Sequence, residues 1–240
     1  MLVEVCANSL ESALNAERAG ADRIELCSEL GVGGITPSYG LITAVKEQLS
    51  IPIHVLVRPR SGHFTYSKTE FEVLLNDVKF CTKIGVDGIV SGVLNKDATV
   101  DIERTQKLID CAKPLHFTFH RAFDWVPDAK EALAVLENLG VDTILTSGKH
   151  LTAENGIKVL NKLNAIANQI TIMAGSGVSL ANANKFNTIG LKAIHLSGTS
   201  FENEVSINRK ITMNSKKHLM EHQVAVTNVD RIRQIVRSVK

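Results

Sequence analysis

No stretch of this 240-residue chain approaches the roughly 18 consecutive apolar residues of a membrane span. A membrane-spanning helix is therefore not expected. Charge of one sign is equally scarce, because 27 Lys and Arg against 25 Asp and Glu leave a formal net charge of +2. That balance offers no basic patch or stripe for nucleic acid or an anionic membrane. Cysteine is sparse too. Cys6, Cys27, Cys81 and Cys111 form no CxxC pair, which excludes a zinc ribbon and a thioredoxin-type motif. The opening MLVEVCANSLESALNAERAG lacks the basic start and apolar run of a signal peptide. Reduced thiols in the cytoplasm are the resulting expectation. No linker or low-complexity run divides the chain, so residues 1–240 are expected to form one domain, and a homo-oligomer is left open.

What is present is a regular alternation. Short β-branched apolar runs recur as LVEVC (2–6), DRIELC (22–27), IHVLV (53–57), DGIVS (87–91), HFTF (116–119), DTILT (142–146), QITIM (169–173) and KAIHL (192–196), each followed by a helical pattern. Strand–helix alternation argues for parallel βαβ units. Eight units in a chain of this length suit a closed (β/α)8 TIM barrel, with an open doubly wound sheet as the rival. Helix signals agree. Ser67 and Glu70 form a capping box ahead of Phe71, Leu74, Leu75 and Val78. Asp128 opens a helix that Gly140 closes, and the last helix spans 229–239 after Asn228. Residues 200–223 read as an irregular loop after the eighth strand.

Alternate residues of a barrel strand face the axis. With Val3, Val5, Ile24, Leu26, Ile194 and Leu196 assigned to the helix side, Glu4, Cys6, Arg23, Glu25, Cys27, His195 and Ser197 face inward. Buried charges are costly unless paired or bound to a ligand. Either an internal network, with Arg23 or Arg58 answering Glu4 and Glu25, or a polar site is expected. Barrel active sites lie at the C-terminal strand ends, and the residues there carry chemistry. Glu4, Glu25, His120 and Asp124 are the acid–base candidates. Arg58, Arg60 and Arg121 could hold negative charge. Gly175, Ser176 and Gly177 after the seventh strand, with Ser197 and Gly198 after the eighth, fit an anion-binding pair of loops, although small residues also make tight turns. Glu25, Arg58, His120 and Asp124 are expected to line one continuous cleft.

Cys6 and Cys27 end adjacent strands on the same face, so their sulfurs can approach each other. Two thiolates suit a soft ion such as Cu(I), although cysteine is also a common core residue. Cys81 and Cys111 fall on helical patterns and read as core thiols. His150, His218 and His222 read as surface groups.

The segments EVCANS (4–9), GADRIELCSELGVGGITPSYG from position 20, HVLVRPRSGHFTYS (54–67), TFHRAFD (118–124), ILTSG (144–148), IMAGSGV (172–178) and HLSGTS (195–200) together resemble the CutC family. The resemblance spans nearly the whole chain in order. It implies a TIM barrel, a cytoplasmic location and a part in copper homeostasis. The two cysteines credited with copper binding in some members match Cys6 and Cys27. Two departures stand out: Ser61 and His63 occupy positions usually Gly and Asp, and Ala174 and Ser176 occupy positions where Pro and Gly are common. Two functions follow as expectations. One is copper binding through Cys6 and Cys27. The other is an enzyme acting on a small anionic or phosphorylated metabolite.

Overall fold

Each of the eight predicted strands forms and lies parallel to its neighbour in the chain. The computed structural model describes residues 1–202 and 224–240. Strands β1 (Leu2–Ala7), β2 (Arg23–Leu26), β3 (Ile53–Leu56), β4 (Gly88–Ser91), β5 (His116–Phe119), β6 (Thr143–Thr146), β7 (Thr171–Gly175) and β8 (Ala193–Leu196) close into a barrel in chain order. Closure is what excludes the open sheet. Glu4 of β1 stands beside Arg23 of β2 on one side and His195 of β8 on the other.

Helices α1 (Leu10–Arg18), α2 (Tyr39–Gln48), α3 (Lys68–Ile84), α4 (Ile102–Ala112), α5 (Ala129–Leu139), α6 (Ile157–Ile166), α7 (Ala183–Thr188) and α8 (Val229–Val239) follow the strands. Their starts are written locally. The side chains of Ser9, Ser38, Ser67, Asp101, Asp128 and Asn228 each accept a first-turn N–H that would otherwise have no intrahelical partner. Ser67 and Glu70 complete the capping box reciprocally. Phe71, Leu74, Val78 and Cys81 then bury one face of α3. Gly85 and Gly140 end α3 and α5 with φ of 76° and 80°, a region in which a Cβ is strained.

The segment after β8 departs from expectation. Thr199–Glu202 is a strand, β9, paired antiparallel with β10 (Val224–Thr227), rather than the start of an irregular loop. The two partners are too far apart in sequence for a hairpin signal to announce them. Positions 203–223 of that predicted loop, with His218 and His222, lie outside the described residues.

Outward faces of the barrel strands carry Val3, Val5, Ile24, Leu26, Val55, Ile89, Phe117, Ile144 and Ile194, all packed beneath the helices. The axis is different. Glu4, Arg23, Glu25, His54, Thr118 and Thr143 are buried there. Arg23 Nε donates to Glu4 Oε2 at 2.5 Å, and His195 Nδ1 lies 2.8 Å from Glu4 Oε1. An internal ion network therefore exists, and Arg23 is its cation. Arg58 does not join it. Loop carbonyls capture its guanidinium instead: those of Val32 and Gly34 at 3.0 and 2.8 Å, and that of Gly62 at 2.9 Å. Gly88 makes room for the axial imidazole, since a Cβ there would sit 2.6 Å from the His54 ring.

Candidate functional site at the mouth of the barrel

Strand register brings three chemically different ligand groups together. Cys6 and Glu25 are paired neighbours on β1 and β2, and His195 enters from β8, which flanks β1 on its other edge. One donor atom from each of Cys6, Glu25 and His195 lies within 4.8 Å of the others. Cys6 Sγ is 3.5 Å from Cys27 Sγ and 3.9 Å from Glu25 Oε1. His195 Nδ1 is 3.8 Å from Glu25 Oε2, an oxygen that has no hydrogen-bond donor among the described residues.

The electrostatics of this cluster are tightly linked. Burial opposes ionisation of Glu4, but the His195 hydrogen bond and the Arg23 charge overcome it and hold the carboxyl at about 2. Glu25 has the opposite balance. Burial, reinforced by the Glu4 charge and opposed by His195 and Arg23, pushes its carboxyl up to about 7. Burial also works against protonating His195, yet the charges of Glu25 and Glu4 and the Glu4 hydrogen bond outweigh it and raise its pKa. The Cys6 thiol is held protonated by its contact with Cys27, then by burial and the nearby carboxylates. A cation would reverse that preference, because a coordinating thiol loses its proton. Glu4 Oε1, 2.8 Å from His195 Nδ1, fixes the orientation of that ring.

These groups open onto a cavity of about 450 Å³ whose lining includes Cys6, Glu25 and His195. That volume lies within the range of small-molecule sites, about 300–1,000 Å³. Arg58, Phe64 and His120 form another part of its wall, with Arg121 and Trp125 beside them. His120 Nδ1 accepts the Ala122 N–H at 3.2 Å. Burial and the Arg58 charge drop the pKa of this imidazole to about 3. The neutral ring therefore carries its proton on Nε2, which is buried without a hydrogen-bond partner among the described residues.

The predicted site residues divide by position. Glu25, Arg58 and His120 line the cavity, as do Cys6, Arg121, Ser176, Gly177 and Ser197. Asp124 does not, so the expected four-residue cleft loses one member. The turn Arg121–Trp125 carries Asp124 to the end of β6, where it accepts from Thr146 Oγ1, Ser147 N and Lys149 N, and from Arg121 Nε at 2.8 Å. Glu4 lies below the cavity in the ion network, and Cys27 is fully buried behind Cys6. Arg60 turns away to pair with Glu70. Gly175 packs against Leu145, and Gly198 opens onto a separate groove with Leu196 and Arg231. Ser61 and His63 are exposed on the loop whose carbonyls Arg60 holds. Cys81 is buried on the inner face of α3, Cys111 is half-buried and His150 is exposed.

The one member of the ligand cluster without an expected role is His195. Its inward position was legible from strand alternation. Its nearness to Cys6 depends on β8 closing against β1.

A family model, described as the CutC family, matches residues 1–200. The chain belongs to the CutC family. A CutC family protein of Klebsiella pneumoniae (strain 342) is 46% identical over 196 residues, covering 82% of this chain and 79% of that protein. One from Bacteroides fragilis (strain ATCC 25285) is 39% identical over 248 aligned positions, covering 99% and 97%. The crystal structure of a candidate copper-homeostasis protein CutC from Streptococcus agalactiae superposes with a TM-score of 0.79 at 33% identity, covering 82% of this chain and 98% of that one. The Streptococcus agalactiae structure shares the fold on which the cluster stands.

Proposed function

We propose that this CutC family member is a cytoplasmic copper-homeostasis protein that binds Cu(I) at the mouth of its barrel. Cys6 and Cys27 supply the sulfurs, and His195, with Glu25, completes the donor set. The observation that carries the reading is the 3.5 Å separation of the two sulfurs beside a cluster in which Cys6, Glu25 and His195 donors lie within 4.8 Å. Metal–sulfur bonds of about 2.3 Å are long enough for one ion to hold both sulfurs across that gap. Thiolates with imidazole suit a soft monovalent copper ion better than a hard, oxygen-seeking cation. Glu4, fully buried and bonded to His195, would fix the ring. The copper-homeostasis description of the Streptococcus agalactiae relative points the same way.

The test is an anaerobic Cu(I) titration against a competing chromophoric chelator, run on the wild type, on Cys6→Ser/Cys27→Ser and on His195→Gln. The double variant is expected to lose the site, and His195→Gln to weaken it. Equal affinity in the wild type and the double variant overturns the reading.

A further inference from the structure

The cavity is much larger than an ion at the cysteine cluster needs, and its remaining wall carries unanswered polar groups. Arg58 is 6% exposed, and Tyr66 and Arg60, not a carboxylate, are the charged or titratable groups that act on it. Its terminal nitrogens bond only to neutral carbonyls, and its Nε is buried without an acceptor among the described residues. Arg121, by contrast, is answered by Asp124. His120 is 5% exposed, and its Nε2 has no partner among the described residues. Phe64 joins the two, with the Arg58 guanidinium 5.1 Å from its ring centre and the His120 ring 4.8 Å away. A buried cation without a counter-charge and a buried donor without an acceptor each cost stability unless a ligand completes them.

We propose that this wall binds a small organic anion in the positive field of Arg58, a small turn of the His120 ring bringing its Nε2–H, enclosed in this structure, to a carboxylate or phosphate oxygen. The body of the ligand lies along Phe64, Leu30 and Leu145, which line the same cavity. An anion answers both deficits at once, whereas a neutral molecule would answer only His120 and a cation neither. His120 is not one of the copper donors, so this site stands or falls independently of them. Gly92 is built for it: a Cβ there would sit 2.6 Å from His120 Nδ1, so the residue without one lets the imidazole take its place.

Inorganic phosphate and malonate are the probes, each titrated into the full chain while melting temperature and the ring-nitrogen NMR shifts of the histidines are followed. At least one probe is expected to raise the melting temperature saturably and to shift the His120 Nε2 resonance. Protection by phosphate alone assigns a phosphate ester, and protection by malonate alone assigns a carboxylate. His120→Ala should abolish the protection while leaving Cu(I) affinity unchanged. Should His120→Ala fail to fold, the wild-type ring shifts decide. The proposal is overturned if neither probe protects and the His120 ring is unmoved, or if protection survives in His120→Ala.

Discussion

Arg23 and Arg58 are both buried guanidinium groups at the same barrel, yet they do different work. Arg23 neutralises Glu4, which is wholly enclosed, at 2.5 Å. Removing it as Arg23→Met leaves a carboxylate buried without its cation, and the expected cost is about 3–5 kcal/mol. Arg58 holds the loops after β2 and β3 by three carbonyl bonds. Arg58→Met is expected to cost only about 1–3 kcal/mol, because loop carbonyls near the surface can turn to water. Urea unfolding of both variants reads the difference. An Arg58→Met loss as large as that of Arg23→Met would mean that Arg58 stabilises an acid after all. The sequence placed both arginines near Glu4 and Glu25 but held no information on which would reach them. Arg23 sits within a strand whose register fixes its direction. Arg58 lies beyond the end of β3, where the path of the loop decides.

At the scale of elements, the helix starts are the most local features of the fold and were legible for that reason. Ser67 accepts the Glu70 N–H at 3.1 Å, and Glu70 Oε2 accepts the Ser67 N–H at 2.7 Å. Ser67→Ala is expected to cost about 1 kcal/mol, as a lost N-cap generally does, with the urea midpoint lowered and the denaturant slope unchanged. An unchanged midpoint would show that α3 is held by its buried face alone. The pairing of β9 with β10 has no such local signal. Its partners meet only after more than twenty intervening positions, and alternation alone does not name a partner. The turn Arg121–Trp125 is similar. HRAFD placed His120 and Asp124 four residues apart at one strand end, and the tight turn between them sends one into the cavity wall and the other to β6.

Across the whole molecule, the buried titratable groups make stability depend on pH in a way that can be signed. His54 and His120 are both driven to about 3, first by burial, well below the ordinary 6.5. The unfolded chain binds protons at these sites that the folded chain refuses, so their contribution is present above pH 6.5 and is lost as pH falls towards 3. Glu25 works in the other direction. Held at about 7, it favours the folded state at low pH, and that contribution disappears as pH rises from 4.5 through 7. Between pH 6.5 and 4.5 it offsets one of the two histidines. His116, whose pKa burial also lowers, adds to the histidine loss there, and Glu25 makes the net decline gentler than the histidines alone would give. Below pH 4.5 the offset ends, and Glu4, held at about 2, adds a further proton deficit, so the decline steepens. Urea midpoints at pH 7, 6, 5 and 4 would trace this curve. Glu25→Gln should steepen the upper part by removing the offset. A Glu25→Gln profile parallel to the wild type across pH 6.5 to 4.5 would refute the elevated carboxyl.

The sequence by itself determined the eight strand–helix units, and the structure closed them into a barrel. Eight β-branched runs with capped helices between them leave few other ways to bury their apolar faces, and the alternation of Glu4, Cys6, Glu25 and His195 with Val and Ile already placed a polar stripe on the axis. It also determined that Cys6 and Cys27 would end neighbouring strands. The tertiary structure decided the partnerships. Closure of β8 on β1 puts His195 against Glu4 and close to Cys6, although 189 positions separate His195 from Cys6. Loop paths sent Asp124 and Arg60 out of the cavity and brought Phe64 and Trp125 into its wall. The physical reason is range. Strand direction and capping depend on neighbours a few residues away, whereas a shared site depends on which loops and strand ends are packed together in space.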